Sequence, residues 1–219
     1  MKIIALIAQK GGVGKTTIAA NLAVAAGVRT ALFDLDQQES AVIWADRRQS
    51  DAPHVEFLTE RRLPDALKAA ERGGFELVII DTPPAAGPQA FTAAQAADFL
   101  LIPCRPSLVD LDAIRRTAQL VKSAGVRAAV VFNAAPHSAT TLLDDARAIV
   151  ERAGLISAPV VLRERSAYRA SWPLGKTVTE TEPKGKAAHE ITARKDWVFA
   201  EVQVCTPSTA HTPGVAVDG

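Results

Sequence analysis

Lys10-Gly11-Gly12-Val13-Gly14-Lys15-Thr16-Thr17 stands between an apolar run, Ile3 to Ala8, and an alanine-rich stretch with helical spacing. The glycines let the backbone curl so that several N–H groups point at one anion, and a helix beginning there adds partial positive charge at the same place. Lys15 is then placed to reach the β- and γ-phosphates of a nucleotide, and the Thr16 hydroxyl offers a hard oxygen to Mg²⁺. A plain connecting turn is the alternative. Eight specified positions between a strand pattern and a helix pattern favour the phosphate-binding loop.

Outward from this loop, short β-branched runs recur near 2–8, 29–34, 55–58, 76–81, 98–103, 127–132 and 158–163. Helical patterns lie between them, near 15–26, 38–49, 63–72, 88–96, 110–124 and 138–153. This alternation predicts an α/β fold, a doubly wound, mostly parallel sheet of seven or eight strands with helices on both faces. A polar, basic stretch from Arg163 to Lys186 follows, then a helix near 186–203. One domain is expected over 1–203. The remainder, 204–219, turns to Thr, Pro, Ala and Gly without periodicity and is expected to be disordered.

The bulk composition narrows the classes further. With 25 Lys+Arg against 24 Asp+Glu the net charge is +1, so nucleic-acid contact would have to come from a local patch. Two cysteines, Cys104 and Cys205, supply neither a metal-site spacing nor a disulfide framework, and the four histidines are scattered. No secretory leader and no membrane-spanning run is read, so a cytoplasmic location is expected.

Two further segments place carboxylates after strands, where ligands of such sheets collect. Phe33-Asp34-Leu35-Asp36-Gln37-Gln38 puts Asp34 and Asp36 on one side of an extended chain. Leu77-Val78-Ile79-Ile80-Asp81 runs into Thr82-Pro83-Pro84. A strand-ending aspartate on its own is as easily a cap or turn residue. Beside a phosphate loop it reads as a Mg²⁺ ligand.

The lysine before the glycine pair, together with these carboxylate segments, resembles the deviant Walker A P-loop ATPases of the ParA/MinD family, over about residues 1–203. The resemblance implies binding of ATP and Mg²⁺ and slow hydrolysis until a partner stimulates it. It implies that Lys10 crosses a dimer interface to the partner subunit's nucleotide, Asp36 positions the attacking water, Asp34 lies near the metal, and Asp81 holds Mg²⁺ through water. Catalysis would then rest on Lys10, Lys15 and Asp36, with nucleotide contacts from Lys10 to Thr17 and an adenine contact from Asn133. Gln37 stands where the family has proline, and the segment from Thr16 to Asp36 is about three residues short, roughly one helical turn.

Iron–sulfur branches of the family need cysteines that this chain lacks. In the last helix, Glu190, Asp196 and Glu201 accompany Arg194 and Lys195, so packing on the sheet is favoured over a membrane-binding role, and no stable membrane association is expected. From Val161 to Trp197 the count is net +3, which marks Arg163, Arg165, Arg169, Lys176, Lys184 and Lys186 as a candidate DNA surface. The segment around Arg165–Ala170, Gly175–Val178 and Glu182–Glu190 is similar to small plasmid-type ParA proteins. The resulting expectation is a partition ATPase, an ATP-dependent homodimer bound to nonspecific nucleoid DNA and released by a ParB-like partner. The chain begins at its first strand, so no N-terminal operator-reading domain is expected. Positioning of protein cargo, of the carboxysome or chemoreceptor type, and a MinD-like division-site regulator at the membrane surface are the alternatives.

Overall fold

The structure, a computed structural model, describes residues 1–85 and 87–204. Nearly all of the tail expected at 204–219 therefore lies outside the described residues. Seven strands form one sheet: β1 (Lys2–Leu6), β2 (Thr30–Asp34), β3 (His54–Phe57), β4 (Leu77–Asp81), β5 (Phe99–Cys104), β6 (Ala128–Phe132) and β7 (Ile156–Ser157). Their order is β3-β2-β4-β1-β5-β6-β7, and every pairing is parallel. In register, Leu6 and Asp34 both stand opposite Asp81, so the loops after β1, β2 and β4 open onto one crevice.

Period-two alternation assigns side chains to the two faces. Ala5, Ile7, Phe33, Val78, Ile80, Leu100 and Ile102 pack on one side, under α3 (Leu63–Arg72), α4 (Pro88–Ala96), α6 (Ile114–Ala124) and α7 (Thr140–Arg152). Ile4, Leu6, Leu32, Leu77, Ile79, Phe99 and Leu101 pack on the other, under α1 (Lys15–Ala25), α2 (Ser40–Ala45) and α10 (Lys186–Val202). α1 keeps Ile18, Ala19, Leu22 and Ala23 buried against the sheet.

Several expected boundaries move. The strand expected at 158–163 is not one: β7 is only Ile156–Ser157, and Pro159, which has no N–H, cannot extend the ladder. The chain rejoins β6 where the Leu162 N–H donates to Phe132 O and Arg163 bridges Ala135. The helix expected at 110–124 is split into α5 (Leu108–Leu111) and α6, and the one expected at 38–49 is confined to α2.

The polar stretch 163–186 folds into α8 (Ser166–Ser171), a 3-10 turn (Trp172–Leu174) and α9 (Val178–Thr181). Trp172 stacks on Trp44 at 5.8 Å, and Arg48 donates to Gly175 O and Glu180. Gly175 has φ +62, and a Cβ there would lie 2.5 Å from the Arg47 carbonyl carbon, so only glycine allows this approach.

Candidate functional site

The loop after β1 enters α1 with Gly14 as N-cap at φ 94, without a side-chain cap and with no acidic residue in the first turn. The first N–H groups of the helix are thus free of a side-chain acceptor and suited to an anion. Lys15 is only 6% exposed although it carries an ammonium. Burial pulls its pKa below the usual lysine range, while Asp81 and Asp36 act in the opposite sense. A cation so enclosed among carboxylates is placed to meet further negative charge.

Asp81 ends β4 with no exposure, and among the described residues neither of its carboxylate oxygens has a hydrogen-bond partner of good geometry. Burial raises its pKa to about 7, opposed by the nearby Thr16 hydroxyl and by Lys15, and reinforced by Asp34 and Asp36. An orphaned carboxylate beside a threonine hydroxyl is a donor set that suits a hard divalent cation, so Mg²⁺ fits these residues.

Asp34 is buried too, but both its oxygens are engaged: one accepts the Asp36 N–H at 3.0 Å, the other the Ala41 N–H at 2.9 Å. Burial raises its pKa against the pull of these bonds. Its visible work is to fix the loop that carries Asp36. Asp36 in turn accepts the Gln38 N–H at its side chain and the Glu39 N–H at its carbonyl. These two bonds close the turn that contains Gln37.

Asn133, after β6, donates from its side-chain amide to Val13 O. Arg105, after β5, donates to Gly12 O at 2.6 Å. Lys10 lies 4.0 Å from Asp110, whose other oxygen accepts from Ser107 Oγ. Lys10, Lys15, Thr16, Asp34, Asp36, Asp81 and Asn133 are thus gathered at one end of the sheet. Arg105 and Asp110 carry no local sequence signal; theirs is topological, because β5 lies next to β1 in the sheet.

The candidate DNA residues are less uniform. Arg165 is paired with Glu190, Arg169 with Glu164, and Arg163 donates to Pro136 O. Lys176, Lys184 and Lys186 are exposed. Arg194, which contributed to the net +3 count, is fully buried and adds nothing to a surface. No helix among the described residues is long and apolar enough to cross a membrane, and the apolar residues Ile191, Val198, Phe199 and Val202 of α10 are buried against the fold.

A model of the CobQ/CobB/MinD/ParA nucleotide binding domain matches residues 4–171. The chain is 33% identical over 198 residues to the Maintenance of carboxysome distribution protein A of Gloeobacter kilaueensis, covering 88% of this chain and 89% of that protein. It is 31% identical over 193 residues to the protein of the same name from Halothiobacillus neapolitanus, covering 82% and 87%. The MinC:MinD cell division protein complex of Aquifex aeolicus matches in fold, with a TM-score of 0.75 at 16% identity over 91% of this chain and 96% of that one.

Proposed function

This chain belongs to the CobQ/CobB/MinD/ParA nucleotide-binding family, and from that premise we propose that it is a Mg²⁺-dependent ATPase that positions a protein assembly of the carboxysome type. The observation that carries the cargo assignment is the similarity, along nearly the whole of both chains, to two proteins named for carboxysome distribution. These relatives favour protein cargo over the plasmid or chromosome partition expected from the sequence. The enzymatic reading rests on the site: an enclosed lysine at an uncapped helix start and an orphaned carboxylate beside a threonine.

In this reading, the loop from Gly11 to Thr17 cradles the phosphates and Lys15 neutralises the β- and γ-oxygens. Thr16 and Asp81 would hold Mg²⁺, which supplies further charge neutralisation when bound. Asp34 keeps the Asp36 loop in place, and Asp36 orients the attacking water. Asn133 and Arg105 brace the loop through Val13 O and Gly12 O. Lys10 reaches the partner subunit's nucleotide once it leaves Asp110, which makes the ATP-bound state a homodimer. In that dimer the basic surface is doubled, and with Lys176, Lys184 and Lys186 it would bind nonspecific DNA of the nucleoid until an adaptor, the counterpart of a ParB-like protein, triggers hydrolysis.

Partition of plasmid or chromosomal DNA is the second reading, favoured by the likeness of the 165–190 segment to small plasmid-type ParA proteins. Removing the gene and following both cargoes in the cell separates the two. Clustered protein compartments with plasmids retained support the first; evenly spaced compartments with plasmid loss support the second.

A further inference from the structure

A trench of about 970 Å³ separates α6 from α7 on the face of the sheet opposite α1 and α10. Its floor includes Val121, Val126 and Leu155, and its rim carries Arg115, Lys122 and Arg152, with Asp112 as the one acidic lining residue. All three basic side chains are exposed. Among the described residues these three have no carboxylate within ion-pair distance, and Arg152 Nε donates to Ala148 O. An apolar floor beneath three unpaired cations is complementary to a ligand that is apolar on one stripe and acidic beside it.

Arg115 and Lys122 are seven residues apart on α6, two turns along one face and about 10.5 Å along the axis. A helix lying in the trench would meet both with acids at the same spacing, on either side of apolar residues. Two other occupants fit less well. Residues 205–219 contain two prolines and a single acid, Asp218, and cannot supply an acidic amphipathic helix. A second copy placing its own trench here would set basic rim against basic rim.

We propose that this trench is the docking site for an acidic amphipathic helix of a partner protein. The trench shares no lining residue with the phosphate loop, so the proposal stands whichever cargo is moved and is tested without ATP hydrolysis.

The test uses two synthetic helical peptides of about 18 residues, roughly five turns, with the same leucine stripe. One carries Glu and the other Lys at positions seven apart beside that stripe. Fluorescence anisotropy is measured against the full chain and against the Arg115→Glu/Lys122→Glu/Arg152→Glu variant, with sedimentation of each protein alone. The expected result is binding of the Glu peptide only, weakened at least about tenfold in the variant, which gains binding of the Lys peptide. The proposal is overturned by equal binding of both peptides, by binding of neither, or by an unchanged affinity of the variant for the Glu peptide. Self-association of the wild type that the variant loses would assign the trench to a second copy, and would overturn it as well.

Discussion

The Asn133 side-chain amide donates to the Val13 carbonyl at 2.7 Å across 120 residues of sequence, tying the end of β6 to the loop that precedes α1. Gly14 lies directly beneath this bond: it has φ +94, and a Cβ there would collide with the Asn133 amide. Asn133→Ala is expected to weaken ATP binding by about 1 kcal/mol, the worth of one net hydrogen bond. Gly14→Ala combines steric overlap with an unfavourable φ, and is expected to abolish nucleotide-induced thermal stabilisation. Nucleotide titration followed by differential scanning fluorimetry checks both.

Asp81 has two buried oxygens without a hydrogen-bond partner of good geometry among the described residues. Asp81→Asn removes a buried charge whose desolvation outweighs its attraction to Lys15, so at pH 8 without nucleotide the variant is expected to melt above the wild type, by a margin equivalent to about 1–3 kcal/mol. With MgATP the order reverses, because only the wild type retains the carboxylate for the cation. A variant that kept full MgATP stabilisation would remove Asp81 from the metal site.

Glu180 sets a pH dependence away from the nucleotide crevice. Partial burial acts to raise its pKa, but the Arg48 guanidinium and the Thr177 N–H and hydroxyl outweigh it and leave the carboxyl below the usual range. A depressed folded pKa stabilises the protein above the unfolded value, and that stabilisation is lost as pH falls through the folded one. Glu180→Gln is expected to cost about 1 kcal/mol at pH 7, discounted for its partial exposure, with the difference closing below about pH 4. Urea melts at a series of pH values measure it.

Among the described residues, Arg194 is enclosed with no hydrogen-bond partner for Nε, Nη1 or Nη2, near the Tyr168 hydroxyl, which likewise has none there. Burial lowers its pKa to about 10, with the Trp197 ring 5.6 Å away as its aromatic neighbour. Replacing it by Met, of similar length and without charge, is expected to raise stability by about 1–3 kcal/mol. Glu190→Gln should instead free Arg165 and tighten ATP-dependent DNA binding severalfold, with a steeper salt dependence. Filter binding at two salt concentrations reads that change.

These residues also show what the sequence could and could not display. The loop from Lys10 to Thr17, the strand-end aspartates and the first six expected strands are local patterns, and the structure has them at those places; the run at 158–163 is the exception, interrupted at Pro159. Arg194 was legible as well: Ala187, Ile191, Arg194, Val198 and Val202 recur at helical spacing on the buried face of α10, a stripe that a simple charge count passes over. Arg105 and Asp110 were not legible, because only the adjacency of β5 to β1 brings them to the loop. The short helices between 166 and 181 were hidden as well, since they depend on the distant contacts of Trp172 with Trp44 and Gly175 with Arg48.

The proposed function makes bound nucleotide the control over where this protein binds. Binding of the purified chain to nonspecific double-stranded DNA, with MgATP, MgADP or no nucleotide, tests it most directly when Lys10→Ala is run alongside. Salt-sensitive binding of the wild type is expected with MgATP alone, and its loss in Lys10→Ala. Binding that ignores nucleotide, or that survives intact in Lys10→Ala, would contradict it.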